Sequence, residues 1–228
     1  MPFIAPRTGV GLCDYEDRFL ALDIDRDRYF ELKPELTELV RRWLEGFELT
    51  FSQTEALTKS GLFGVSQTAG LRHDHDRRLA ERAIVGTEAP VEIGVRFVLD
   101  YARALVWLAF FHWSMRRRSL RFLLKIANAR AQYRAQGTAR IPRTFPPGLM
   151  ICLSAFSRAS LLFPRTSRCL PDALALQRLA SRHTAYSKIV FGVQADPFQA
   201  HCWVQLDKVV LGQGLDVVAG FRPILTSP

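Results

Sequence analysis

The chain has 228 residues, 48% of them hydrophobic, and a formal charge of +9. That composition excludes a disordered or fibrous chain and leaves one large domain or two small ones. Residues 1–85 carry 12 Lys and Arg against 15 Asp and Glu, net −3, whereas residues 86–228 carry 19 against 7, net +12, and this asymmetry points to two domains.

The opening stretch, MPFIAPRTGVGL, shows no charged region followed by an apolar one, so no secretion signal is expected. RFLALDI at 18–24 is apolar and strand-like, DRDR reads as a turn, and YFEL at 29–32 as a second short strand. Pro34 suits a first helical turn, and Leu36, Leu39, Val40, Trp43 and Leu44 recur at helical spacing before Gly46. Ser52-Gln53-Thr54-Glu55 has the form of a capping box opening a helix that Gly61 stops. Strand, strand, helix, helix are the ingredients of a small winged-helix-like domain.

Residues 64–90 read as a connector, small and polar in GVSQTAG and then charged in RHDHDRR, with the linker proper at 66–90. His73, Asp74, His75 and Asp76 have the right side chains for a metal, but neighbours in sequence point apart and no further ligand cluster joins them, so no metal is expected. From Val91 to about Arg134 the pattern is helical, with a break near Arg116–Ser119. ALVWLAFFHWSM at 104–115 has 12 residues, too few for the ~20 of a membrane span, and reads as a buried helix. GTARIPRTFPPG at 137–148 is a loop stiffened by prolines, and 149–163 is a buried helix closed by Pro164. Ser167 is placed to cap a helix running to about Ser181. SKIVFGVQ, FQAHCWVQL and KVVLG follow as strands. The arginines accompany no RNA- or DNA-binding motif, so nucleic acid is not the expected partner, and membrane association is not expected either. Cys13, Cys152, Cys169 and Cys202 form no CxxC pair and no disulfide framework, which points to a reducing, cytoplasmic compartment.

The chemistry concentrates on two residues. With Ser167 as cap, Cys169 lies in a first helical turn, where unpaired amides and the helix dipole favour a thiolate, with Arg168 beside it. His201 lies in the apolar strand that follows and can act as its base. Asp207-Lys208 makes a tight turn pairing 206 with 209, so 201 falls opposite 214. Gln213 and Asp216 are the polar residues there, and a one-residue bulge decides which orients the imidazole. Cys152 and Cys202 read as core, His112 as structural, and His183 as a surface residue at the helix exit.

CLPDALAL, LASRH, IVFGV and PFQAHCWVQ occur in order over 169–205 and resemble the lasso-peptide biosynthesis B proteins, which are transglutaminase-like cysteine peptidases. VVLGQGLDVVAGFRPIL at 209–225 resembles that family's end, and FLALDIDRDRYFELKPELTELVRRWLEG resembles the leader-recognition domain fused ahead of the peptidase in some members. The likeness covers about 12–63 and 91–225. It implies an α+β chain: a leader-recognition domain at 1–65, a linker at 66–90, and a papain/transglutaminase-like cysteine peptidase at 91–228 with a helical front half and an antiparallel sheet. It implies Cys169 as nucleophile and His201 as general base and acid. The third family position, usually acidic, falls on Gln213, with Asp216 as substitute. No cofactor is implied. The implied partners are a precursor peptide, whose leader is bound and cleaved, and a cyclase resembling asparagine synthetase. The leader is expected to add as a strand along Tyr29, Phe30, Glu31 and Leu32. The Cys-His pair equally fits another thiol acyl-transfer enzyme of the same fold. The missing acid at 213 fits a non-catalytic precursor-delivery scaffold.

Overall fold

The structure is a computed structural model that describes residues 3–15, 17–66, 79–86, 93–135, 145–163, 169–184 and 186–227, the side chains of 130–135 excepted. The chain forms two compact units, residues 1–77 and 78–228.

The first unit has β1 (Phe3–Pro6), β2 (Val10–Tyr15), β3 (Arg18–Asp23), β4 (Arg28–Glu31), α1 (Pro34–Leu44), α2 (Phe51–Lys59) and β5 (Phe63–Ser66). β2, β3 and β4 form an antiparallel sheet in that order, and β1 pairs antiparallel with β5. β3 is the central strand. Its unbroken run FLAL is buried on both faces, as an apolar run without alternation requires. Val10, Leu12, Phe19 and Ala21 pack with Val40 of α1, Leu57 of α2 and Phe63 of β5. Trp43 stands edge-on to Phe63 and donates its indole N–H to the Ile4 carbonyl at 3.2 Å.

The DRDR turn is held by Asp23, two residues ahead of it. The Asp23 carboxylate, only 1% exposed, accepts from the Asp25 and Arg26 amides at 3.0 and 3.3 Å and from the Arg7 guanidinium at 2.9 Å. The two strands and two helices expected from sequence are present, and β1, β2 and β5 are additional to them. The capping box sits two residues earlier than expected. Thr50 accepts from the Gln53 amide and the Gln53 side chain accepts from the Thr50 amide, so α2 opens at Phe51.

The second unit has β6 (Arg82–Ile84), α3 (Val95–Ser114), α4 (Leu120–Ala135), α5 (Pro147–Ser160), α6 (Cys169–Ala180), β7 (Ser187–Gln194), β8 (Gln199–Leu206), β9 (Val209–Leu211), α7 (Leu215–Val218) and β10 (Arg222–Thr226). Helices therefore precede strands in a mixed α+β unit. The sheet runs β10-β7-β8-β9-β6, antiparallel except for the β6–β9 pair. β6 lies within the stretch read from sequence as linker. His73, Asp74, His75 and Asp76 lie outside the described residues.

α3 buries one face only: Ala104, Leu108 and Phe111 are covered, whereas Val106 is 65% and Trp113 59% exposed. The 104–115 segment is thus half-buried rather than the buried helix its composition suggests. Among the described residues no helix is long and apolar enough to cross a membrane.

α6 packs against α3, α4, α5, β7 and β8. A buried polar relay fixes it: Gln177 donates to the Asn128 side chain at 2.9 Å and to the Ser187 carbonyl at 2.8 Å, and Asn128 donates to the Ser227 hydroxyl at 2.6 Å. Buried donors paired in this way specify one helix position, because any slip leaves them unpaired.

Candidate active site

Cys169 is the first residue of α6 and half-buried, so it stands in the first turn, at the positive end of the helix dipole. Ser167 and Arg168 lie outside the described residues. His201 sits on β8, opposite Gly192 of β7. Trp203 stacks at 6.1 Å between ring centroids and Phe221 lies at 5.2 Å, so the imidazole is walled by two aromatic rings. Trp203 is itself tied down, donating its indole N–H to Gln205 at 2.8 Å, while Gln205 donates to the Asp207 carbonyl at 2.7 Å. A Cβ added at Gly192 would stand 2.6 Å from Trp203 and 2.9 Å from Phe221, so only glycine leaves room for these walls.

The expected turn at Asp207-Lys208 is present, with Leu206 opposite Val209. β9 ends at Leu211, and Gly212 turns the chain with φ +80°, its N–H donating to the Ile84 carbonyl of β6 at 2.8 Å. This turn brings the Gln213 Oε1 to 3.0 Å from His201 Nε2. Asp216 lies elsewhere, exposed in the first turn of α7, with its carboxylate folded back over Gly214. The structure therefore brings Cys169, His201 and Gln213 together and leaves Asp216 apart.

With Nε2 occupied by Gln213, Nδ1 is the ring nitrogen available to the thiol. The Gln213 carbonyl oxygen accepts a hydrogen bond and so selects the tautomer with hydrogen on Nε2, which leaves Nδ1 as a base.

The electrostatics favour an ion pair. The Cys169 pKa falls to about 4. The largest cause is the Cys202 thiol, which donates to the Cys169 sulfur. Burial opposes the fall, and the His201 hydrogen bond and charge and the Cys202 backbone N–H add to it. For His201, burial works against the imidazolium, but hydrogen bonds with Cys169 and Gln213 and the thiolate charge outweigh it and the pKa rises. Cys202 moves the opposite way, well above the ordinary range, through its bond to Cys169, then burial, then the charges of Cys169 and Asp172. It is the functional neighbour that sequence reading missed; only its adjacency to His201 could have drawn attention to it. Cys152, 1% exposed, is pushed up to about 12 by burial and then Asp100, and stays a thiol.

These residues open onto a cavity of about 460 Å³. Phe156, Leu176, Leu211 and Val217 give it apolar walls, and Asp172 is the one carboxylate among its described lining residues. Asp172 meets His112 at 3.3 Å, and His112 stacks on Phe163. His112, read from sequence as structural, thus holds a residue of the cavity wall.

Tyr29 and Phe30 are half-buried on β4, the outer strand of its sheet, with Glu31 exposed. Leu32 is 5% exposed, packs in the core and donates its N–H to the Phe19 carbonyl, so its side chain is not on the open edge.

No curated protein and no solved structure matches the chain. The family model of the transglutaminase-like superfamily matches residues 107–226, which include α6 and all of Cys169, His201 and Gln213. The match spans more than half of the chain and falls on the unit whose cysteine opens a helix against a histidine-bearing strand, and the chain belongs to the transglutaminase-like superfamily.

Proposed function

We propose that the chain is a leader peptidase of lasso-peptide biosynthesis. The superfamily itself supports cysteine-based acyl transfer or peptide cleavage. The observation that carries the finer reading is a cysteine of lowered pKa at a helix start, hydrogen-bonded to an imidazole whose other nitrogen is held by Gln213. The ordered segments from CLPDALAL to PFQAHCWVQ supply the substrate class.

The Cys169 thiolate attacks the carbonyl carbon at the leader–core junction. The carbonyl oxygen becomes an oxyanion, and the Cys169 N–H at the start of α6 is a donor for it. The C–N bond breaks as the His201 imidazolium gives its proton to the leaving amine of the core. The leader is left as a thioester on Cys169. Neutral His201 then takes a proton from water, which attacks the thioester, releasing the leader carboxylate and restoring the ion pair. Gln213 touches only the imidazole and positions it.

The position of β4, with Tyr29, Phe30 and Glu31, as the outer strand of its sheet among the described residues supports leader capture by strand addition. Leu32 supports that strand from the core. The freed core amine is the group a partner cyclase needs for ring closure.

The test is incubation of the purified protein with a lasso precursor peptide and a small primary amine, read by mass spectrometry. Free leader acid and core, lost in Cys169→Ala, are the expected products. Leader amide instead of acid would establish an acyl transferase. An intact precursor beside a Cys169 that alkylates normally would favour the delivery-scaffold reading.

A further inference from the structure

A second cavity, of about 330 Å³, lies in the helical half of the same unit, away from the Cys-His site. It adjoins the exit of α6, whereas Cys169 is at the entrance, and the twelve residues between span roughly 18 Å. Three elements meet around it. α3 supplies Arg96, Asp100 and Arg103, at the i, i+4, i+7 spacing of one helix face. The segment after α6 supplies Arg182 and His183, and α5 supplies Gly148. Asp100, 7% exposed, is held by Arg103 at 2.9 Å. Among the described lining residues, three guanidinium groups and an imidazole thus accompany one carboxylate.

The start of α5 adds to this. Its N-cap is Pro146, which offers no capping side chain, and Pro147 has no N–H. The Leu149 N–H is taken by the Pro146 carbonyl at 2.8 Å. Gly148 therefore presents the first amide of an uncapped helix, with the positive end of its dipole behind it. A Cβ there would lie 2.9 Å from His183 Nδ1, so glycine is what lets the imidazole and the helix start approach each other.

We propose that this cavity binds a phosphate dianion, either inorganic phosphate or the phosphoryl group of a small molecule. Donors that converge from three elements suit a tetrahedral ligand with several acceptor oxygens; a planar carboxylate would be served by one guanidinium fork. The volume lies at the lower end of small-molecule sites, roughly 300–1,000 Å³, and leaves room for more than a bare ion. The site shares no residue with the Cys-His cavity, so it stands or falls separately from the peptidase reading.

The experiment is calorimetric and thermal-shift titration of the full chain with inorganic phosphate, phenyl phosphate and succinate, for wild type, Arg96→Gln and Arg182→Gln. Saturable binding of phosphate or phenyl phosphate is expected, weakened about tenfold or more in each variant. Arg96 is exposed, so Arg96→Gln keeps the ligand-free melting temperature of wild type and separates ligand loss from misfolding. Tighter binding of phenyl phosphate identifies a phosphorylated small molecule, and equal binding identifies the free ion. Absence of saturable binding, phosphate affinity unchanged in both variants, or succinate bound as tightly as phosphate would overturn the proposal.

Discussion

His201 donates its Nε2 proton to Gln213 across 3.0 Å, and the bond is made possible by Gly212 turning the chain out of β9. An amide accepts this hydrogen bond without adding charge. Gln213→Ala frees the ring to rotate and to adopt the other tautomer, so cleavage should fall about tenfold or more in kcat/KM while precursor binding is kept. Gln213→Glu restores the acceptor and places a negative charge beside the ring. That charge favours the imidazolium, so the alkaline limb of the pH–rate profile should move to higher pH. A Gln213→Glu profile that does not move would remove Gln213 from its positioning role.

Cys169 labelling by iodoacetamide should follow the pKa of the ion pair. A pKa of about 4 means that thiolate is already dominant at pH 6, far below the range where an ordinary thiol ionises. Cys169 should therefore label at near its full rate at pH 6, with Cys152 and Cys202 silent. Cys202→Ala removes the largest stabilising hydrogen bond to that thiolate. Labelling at pH 5 should slow about tenfold and recover as the pH rises. Equal rates in the two proteins at pH 5 would deny Cys202 its influence on the nucleophile.

Gly192→Ala inserts a methyl group where Trp203 and Phe221 already stand. Overpacking of this kind costs about 1–3 kcal/mol, measurable as a lower denaturant midpoint. The displaced walls are those of the imidazole, so Cys169 labelling should slow as well. A lower midpoint with labelling unchanged would show that the aromatic walls serve the core alone.

In the first unit, Asp23→Asn keeps one acceptor for the turn and loses the charge that holds Arg7. The guanidinium is partly exposed, so the loss should be about 2 kcal/mol, below that of a fully buried pair. Chemical denaturation followed at Trp43 reads this unit, because Trp43 packs in its core.

How far the residues announced this arrangement differs from place to place. The β8–β9 hairpin was legible because a two-residue turn fixes its register, and Cys169 was legible because a helix start is marked by what surrounds it. The choice between Gln213 and Asp216 was not legible. It depends on a backbone torsion at Gly212 and on the β6 carbonyl that holds its amide, and β6 comes from a three-residue strand far away in sequence. The bond from Cys202 to Cys169 also depends on tertiary approach, and a cysteine in an apolar strand reads as core. The α2 cap was misplaced because Thr50–Gln53 and Ser52–Glu55 both fit the same template, and Phe51, 84% exposed, gives no apolar signal to choose between them. β1 and β5 are four residues each and pair across most of the first unit, which local pattern cannot reveal.

Because Gln213 is neutral, the reacting set of thiolate, imidazolium and amide sums to zero charge. Seen from beyond a Debye length it is a small dipole, and it exerts little pull on an arriving peptide. Long-range attraction must come from the arginine excess of residues 86–228. Added salt should therefore slow capture of acidic substrates and leave the chemical step, once substrate is bound, almost untouched.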